Sequence, residues 1–263
     1  MYLQWKTQHA KGLICQSLLK PNAMSSEQET KQNETILKLL AEKSVMKQDV
    51  YTNTINVFNE LKDILRSRAD VLSNEISKID KRVHIYYKDV SLQDMYLKVA
   101  GDILDFQMHS NVFEFDKSHP MYKTGYIKSN DLNSFSGIIS VYNFLADSYK
   151  YNRLNDVGYL IARIFVNREK KFFLETRTQI GYKYNSFSLE PVSKEQLTDI
   201  INELIIYSIT FDLFTPPFDA VKHVTVAEIQ EKSSSSALRT GKRLGYSSST
   251  GGSLSNFDDE VNL

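Results

Sequence analysis

The amino-acid sequence predicts an α+β protein with a helical amino-terminal third, a mixed β-α-β middle, an antiparallel β-hairpin covered by a carboxy-terminal helix, and a disordered tail. Three observations support this fold class. Apolar residues recur at helical spacing in the first third, two alternating stretches flank a polar turn after residue 156, and a capping box precedes a wide apolar face after residue 192. With 263 residues, 41% of them hydrophobic, the chain can build a packed core.

The amino-terminal third divides into a flexible leader, residues 1–33, and a helical segment, residues 34–82. The segment is predicted to contain one long helix from Val50 to Asp80. Its apolar seam consists of Phe58, Leu61, Leu65, Leu72, Ile76 and Ile79, at steps of three and four, with Arg68 inside the seam. The seam is compatible with a coiled coil that makes a homodimer and with a helix packed on its own domain.

An α+β domain is predicted over residues 83–230. Val83 to Tyr87 alternates in polarity and is assigned to a strand, Ser91 caps a helix that runs to about His109, and Val112 to Asp116 forms a second strand. Phe135 to Tyr149 is assigned to a further helix. These assignments produce the β-α-β unit in the middle of the chain.

The clearest strand signal is a β-hairpin. Val157 to Val166 and Lys171 to Tyr182 are its strands, and Asn167 to Lys170 is its turn. Phe187 to Glu190 is expected to add a third strand before Pro191.

The carboxy-terminal helix is predicted to begin after Ser193, because Ser193 and Gln196 form a capping box. Its wide apolar face must be buried, which makes it the cover of the hairpin. Val221 to Ile229 alternates and is assigned to a last strand. Residues 231–263 are rich in serine and glycine and are predicted to be a disordered tail with an acidic tip.

Charge and composition restrict the function classes. Lysine plus arginine and aspartate plus glutamate each number 32, so no net field attracts the chain to nucleic acid or to an anionic membrane. No apolar run approaches the roughly 18 residues of a membrane span. The single cysteine, Cys15, gives no disulfide framework. We therefore expect a cytoplasmic protein without a membrane partner, with the basic run Arg239 to Gly245 as a weak indication of nucleic-acid contact.

One group of residues has the chemistry of a divalent-metal site. Asp102, Asp105 and His109 are spaced by three and four and would project from one side of the predicted helix, and Glu114 and Asp116 follow closely. Carboxylate oxygens and imidazole are suitable ligands for such an ion. The alternative is an ordinary solvated face, because Asp94, Lys98 and Asp102 are spaced by four along the same side.

The predicted order of helix, three strands, helix and strand between Phe135 and Ile229 resembles the core of restriction-endonuclease-like nucleases. The resemblance implies a Glu-x-Lys on a strand, whereas Glu175-Thr176-Arg177 and Glu190-Pro191-Val192 both lack the lysine. Cross-strand ion pairs among Arg163, Glu175 and Arg177 are the alternative interpretation.

The carboxy-terminal peptide combines an aromatic residue, acids and an apolar end, and its partner-binding candidates are Phe257, Asp258, Asp259 and Leu263. It resembles the acidic tip of bacterial single-stranded-DNA-binding proteins, which implies a protein partner with a basic-rimmed apolar pocket. An ordinary acidic chain end is the alternative.

These patterns favour a non-enzymatic interaction or regulatory protein that acts through apolar helix seams and the acidic peptide, without a cofactor. The alternative is a metal-dependent enzyme acting on a phosphodiester, which would require a divalent metal at Asp102, Asp105, His109, Glu114 and Asp116.

Overall fold

The computed structural model describes residues 23–213, 215–227 and 229–230. The chain divides into two units, Met1–Ser44 and Val45–Leu263. This division falls at a different place from the predicted boundary at residue 82, because the long helix belongs to the same unit as the sheet. The α+β class is confirmed. Among the described residues, no helix has both the length and the apolar composition that crossing a membrane requires.

The first unit contains α1 (Ala23–Leu39) and a π-helical turn (Leu40–Ser44). The described side chains of this unit are exposed, and they include the apolar residues Ile36, Leu37, Leu39 and Leu40.

The second unit is an antiparallel sheet with two long helices on one face. The long helix is α2 (Val45–Ile79). The strands are β1 (Ile85–Ser91), β2 (Asp94–Val99), β3 (Asp102–Met108), β4 (Phe113–Glu114), β5 (Phe135–Leu145), β6 (Tyr159–Asn167) and β7 (Phe172–Thr176). The short helices are α3 (Gly125–Ser129), α4 (Ala146–Lys150) and α6 (Phe218–Val221), and the carboxy-terminal helix is α5 (Lys194–Thr210). The strand order is β1-β2-β3-β5-β6-β7, with β4 beside β5.

The main core lies between the sheet and the helices α2 and α5. Phe58, Leu61 and Leu65 of α2 are fully buried there, together with Leu97 of β2 and Phe106 of β3. The helix predicted from Val50 to Asp80 is therefore confirmed, and its seam packs on its own sheet. A homodimer through these buried residues is incompatible with that packing. At the helix end, Leu72 and Ile76 are partly buried and Ile79 is exposed.

The prediction of a β-α-β unit in the middle of the chain is wrong. The predicted helix from Ser91 to His109 is the antiparallel pair β2 and β3, whose turn contains Ala100 in the left-handed region at φ 52°. Because Met95, Leu97 and Val99 alternate toward the core, a strand buries them better than a helix would.

The predicted helix from Phe135 to Tyr149 is also wrong, since it consists of β5 followed by the single turn α4. No strand occurs at 187–190, and the segment predicted as the last strand begins at Val221, the last residue of α6, and is helical at 226–227. The actual order from Phe135 therefore differs from that of the nuclease core.

The hairpin and the capping box are confirmed. β6 and β7 pair in antiparallel register across the turn at residues 167–170, although β7 ends at Thr176, earlier than predicted. Ser193 accepts a hydrogen bond from the Gln196 amide, and the Gln196 side chain accepts one from the Ser193 amide.

Candidate functional site

The face of the sheet opposite α2 and α5, here called the outer face, carries the candidate site. Side chains alternate along a strand, so the residues between the core positions of β2, β3 and β5 project to this face. They include Tyr96, Ile103, Asp105, Tyr142 and Phe144. Tyr96 and Asp105 are directly opposite each other in the register, as are Asp105 and Tyr142. An acidic residue and two tyrosines thus lie side by side on three neighbouring strands.

Helix α4 covers one end of the outer face. It follows β5 directly, and the amide of Ala146 donates a hydrogen bond of 2.8 Å to the carbonyl of Gly101 in the β2–β3 turn. Tyr149 of this helix extends back over the sheet. Its ring contacts Tyr96 at 5.3 Å between centroids and Phe144 at 5.6 Å, both edge to face.

A cavity of about 770 Å³ opens between α4, the β2–β3 turn and β1. We call it the tyrosine cavity. It is lined by His84, Tyr86, Tyr96, Lys98, Ala100, Gly101, Ile103, Leu145, Ala146, Asp147, Tyr149, Lys150 and Leu213. Its volume lies within the range of roughly 300–1,000 Å³ of ordinary small-molecule sites.

The three tyrosines of the cavity differ in exposure. Tyr96 is 8% exposed and forms the floor, whereas Tyr86 is 45% and Tyr149 40% exposed. The rings of Tyr86 and Tyr96 are 6.2 Å apart, edge to face. Two aromatic side chains therefore remain accessible to a ligand, and both are supported by the same buried ring.

The ammonium of Lys98 lies 5.9 Å from the centre of the Tyr86 ring. It donates a hydrogen bond of 2.6 Å to the carbonyl of Ala100 and lies 3.5 Å from that of His84. Burial lowers the pKa of Lys98, and the neighbouring Lys150 lowers it further, whereas Asp147 raises it. With Lys98 and Lys150 against Asp147, the lining carries one excess positive charge when both lysines are protonated.

Asp105 holds Tyr149, a residue of the cavity wall, in place. The Tyr149 hydroxyl donates a hydrogen bond of 2.6 Å to its Oδ2, and the side chain is buried, with the residue only 3% exposed. Among the described residues, its Oδ1 has no hydrogen-bond partner. Burial raises the pKa of Asp105, Asp94 raises it too, and the Tyr149 hydrogen bond opposes the shift. Burial and the nearby Asp105 carboxylate raise the pKa of Tyr149, so its hydroxyl remains a donor.

The structure separates the carboxylates that the sequence analysis grouped as metal ligands. Asp102 and Asp105 both lie on β3, but they are three residues apart and project to opposite faces of the sheet. Asp105 is engaged with Tyr149. These residues therefore do not lie on one side of a helix, as the sequence predicted.

The other three residues of the group have local partners. The imidazole of His109 accepts a hydrogen bond from the amide of Asn111, Glu114 accepts one of 2.6 Å from Lys117, and Asp116 accepts one from the amide of Ser118. Within residues 23–213, 215–227 and 229–230, no three His, Cys, Asp or Glu side chains converge to hold a metal ion.

The predicted ion pair of the hairpin is confirmed for Arg163 and Glu175. They are opposite each other in the register, and Arg163 Nε donates to Glu175 at 2.6 Å.

Several predicted features lie outside the described residues. These are Cys15, the basic run Arg239 to Gly245, and the partner-binding candidates Phe257, Asp258, Asp259 and Leu263. Recognition of a protein partner by the acidic peptide therefore stays a prediction.

Sequence reasoning missed the tyrosines and Lys98 as site residues. Tyr96 and Lys98 do carry a signal, since they alternate with the apolar residues Met95, Leu97 and Val99 of one strand. The contribution of Tyr149, 53 positions after Tyr96, depends on the pairing of β3 with β5.

Comparison of the chain with family models, with curated proteins and with solved structures gave no match.

Proposed function

We propose that the chain is a non-enzymatic ligand-binding protein whose ligand is an anion that carries a planar ring, of the nucleotide class. The observation that carries the proposal is the tyrosine cavity, in which the accessible side chains of Tyr86 and Tyr149 lie beside the ammonium of Lys98. Aromatic side chains stack on nucleobases, and ammonium groups bind phosphate.

The polar groups of the cavity support recognition by a preformed wall. Tyr149 is fixed by its hydrogen bond to Asp105, and Lys98 is fixed by its hydrogen bond to the carbonyl of Ala100. A side chain that is already held in place loses little conformational entropy when a ligand binds. The raised pKa of Tyr149 also keeps its phenol neutral at physiological pH, which favours stacking and hydrogen bonding over proton transfer.

The same ring and phosphate can belong to a free nucleotide or to the end of a single strand. Calorimetry with ATP, GMP and short oligomers of deoxythymidylate and of uridylate distinguishes these two sources. Tyr86→Ala should weaken binding by roughly 5- to 150-fold, because loss of one stacked base costs about 1–3 kcal/mol. Lys98→Gln should weaken it too and reduce its dependence on salt.

Two control variants match these changes outside the cavity. Tyr182 is 84% exposed, so Tyr182→Ala controls for loss of a surface tyrosine, and exposed Lys128 gives Lys128→Gln as the control for charge. Chromatography should recover the ligand unchanged after incubation. Turnover would refute the non-enzymatic proposal, and equal affinity of Tyr86→Ala and wild type would refute the site.

A further inference from the structure

A second, smaller cavity lies on the helix side of the sheet, where α5 ends. Its volume is about 200 Å³, and the residues that define it are Asn143 of β5, Tyr159 of β6, Tyr207 and Phe211 at the end of α5, and Arg177 after β7. We call it the asparagine cavity. It shares no lining residue with the tyrosine cavity.

The asparagine cavity contains a buried polar group that the folded chain leaves unused. Asn143 is only 1% exposed, and its Oδ1 has no hydrogen-bond donor in the part of the chain that the structure describes. Buried acceptors are paired in the great majority of native proteins, because removal from water without a new hydrogen bond is unfavourable. An acceptor at the wall of a cavity is therefore suited to a donor supplied by a ligand.

The walls of the asparagine cavity are aromatic and suit a flat molecule. The rings of Tyr207 and Phe211 are 6.1 Å apart with an interplanar angle of 27°, and those of Tyr159 and Phe211 are 6.2 Å apart. Gly158 lines the cavity as well.

Arg177 adds a positive charge. It is exposed, and among residues 23–213, 215–227 and 229–230 no carboxylate lies within 4.0 Å of its guanidinium in an ion pair. The planar guanidinium binds a carboxylate through two parallel hydrogen bonds, which fixes the orientation of the bound group.

We propose that the asparagine cavity binds a small aromatic carboxylate that carries a ring hydroxyl or ring N–H. The carboxylate pairs with Arg177, the ring lies against Tyr207 and Phe211, and the hydroxyl or N–H donates to Asn143 Oδ1. At about 200 Å³ the cavity exceeds an engineered cavity of about 150 Å³ that accepts benzene, so the ring fits inside it while the carboxylate lies at exposed Arg177.

The test uses the full chain and three probes that differ by one group. 4-Hydroxybenzoate contains the ring, the carboxylate and the donor; 4-methoxybenzoate lacks the donor, and 4-hydroxybenzyl alcohol lacks the charge. Calorimetry should detect 4-hydroxybenzoate, with each of the other two at least ten-fold weaker. Failure to bind 4-hydroxybenzoate at millimolar concentration, or equal affinity for all three probes, would overturn the inference.

Variants assign the binding to this cavity. Asn143→Leu and Arg177→Gln should each weaken 4-hydroxybenzoate by at least ten-fold, and Arg177→Gln changes an exposed residue, so it should fold normally. Arg163→Gln, which changes an arginine outside the cavity, should bind as the wild type does. Lys98→Gln should also leave the affinity unchanged; loss of binding there would place the probe in the tyrosine cavity and refute the inference.

Discussion

Gly137 of β5 sets the distance between the sheet and α2. A Cβ at this position would lie 2.1 Å from Oγ1 of Thr54 and 2.8 Å from its Cβ and Cγ2. Thr54 is fully buried, and its hydroxyl donates a hydrogen bond of 2.7 Å to the carbonyl of Val50, so the threonine cannot easily move aside. Gly137→Ala therefore forces α2 away from β5. Overpacking by one methyl group costs about 1–3 kcal/mol, which corresponds to a fall in Tm of roughly 2–12 °C for a domain of this size.

Urea unfolding followed by circular dichroism measures this loss. Thr54→Ala in the Gly137→Ala background removes two of the three close atoms, so the double variant should recover part of the stability, with a coupling of about 0.5–3 kcal/mol. Gly125→Ala is the matched control, since its added Cβ meets nothing within 4 Å, and it should stay within about 0.5 kcal/mol of the wild type. Additive effects of the Gly137 and Thr54 changes would refute the close contact.

Two further changes test the buried carboxylate and the helix seam. Burial raises the pKa of Asp105, so the ionised carboxylate destabilises the folded state. This loss of folding free energy is complete above the folded-state pKa. It disappears as pH falls to the pKa of an aspartate in the unfolded chain, about 4. Asp105→Asn should therefore gain stability relative to wild type as pH rises from 4 to 8 in urea titrations, and a constant difference would contradict the burial argument. Leu65→Asp places a charge in the core and should cost more than about 3 kcal/mol, whereas Ile79→Asp, at a position 82% exposed, should be nearly neutral. A change of mass in sedimentation without loss of stability would contradict the intramolecular packing of Leu65.

The elements that the sequence predicted correctly are those whose signals are local. The seam of α2 repeats over many turns, so single charged residues such as Arg68 do not obscure its period. The helix α5 begins at its capping box, which depends on residues three positions apart, and the β6–β7 hairpin depends on a turn of four residues. None of these features requires knowledge of a distant part of the chain.

The strands β2, β3 and β5 were misassigned because their apolar residues fit two periods. Met95, Val99, Ile103 and Phe106 are spaced by four, four and three, as on a helix. Met95, Leu97 and Val99, however, are spaced by two, as on one face of a strand. The pairing of β3 with β5 decides between the helical and the strand period, and it joins residues separated by 31 (Met108 and Ile139) to 43 (Asp102 and Leu145) positions. Tertiary pairing thus overrides local spacing here.

The difference between helical and strand spacing also explains where the side chain of Asp105 lies. On a helix it would share one side with Asp102 and His109, which is the arrangement that suggested a metal site. On a strand the odd spacing turns Asp102 to the other face and leaves Asp105 between Tyr96 and Tyr142, where the hydroxyl of Tyr149 reaches it. The same carboxylate that would have been a metal ligand instead holds a tyrosine ring in place. The tyrosine cavity therefore depends on the strand geometry of β3, which turns Asp105 toward Tyr149.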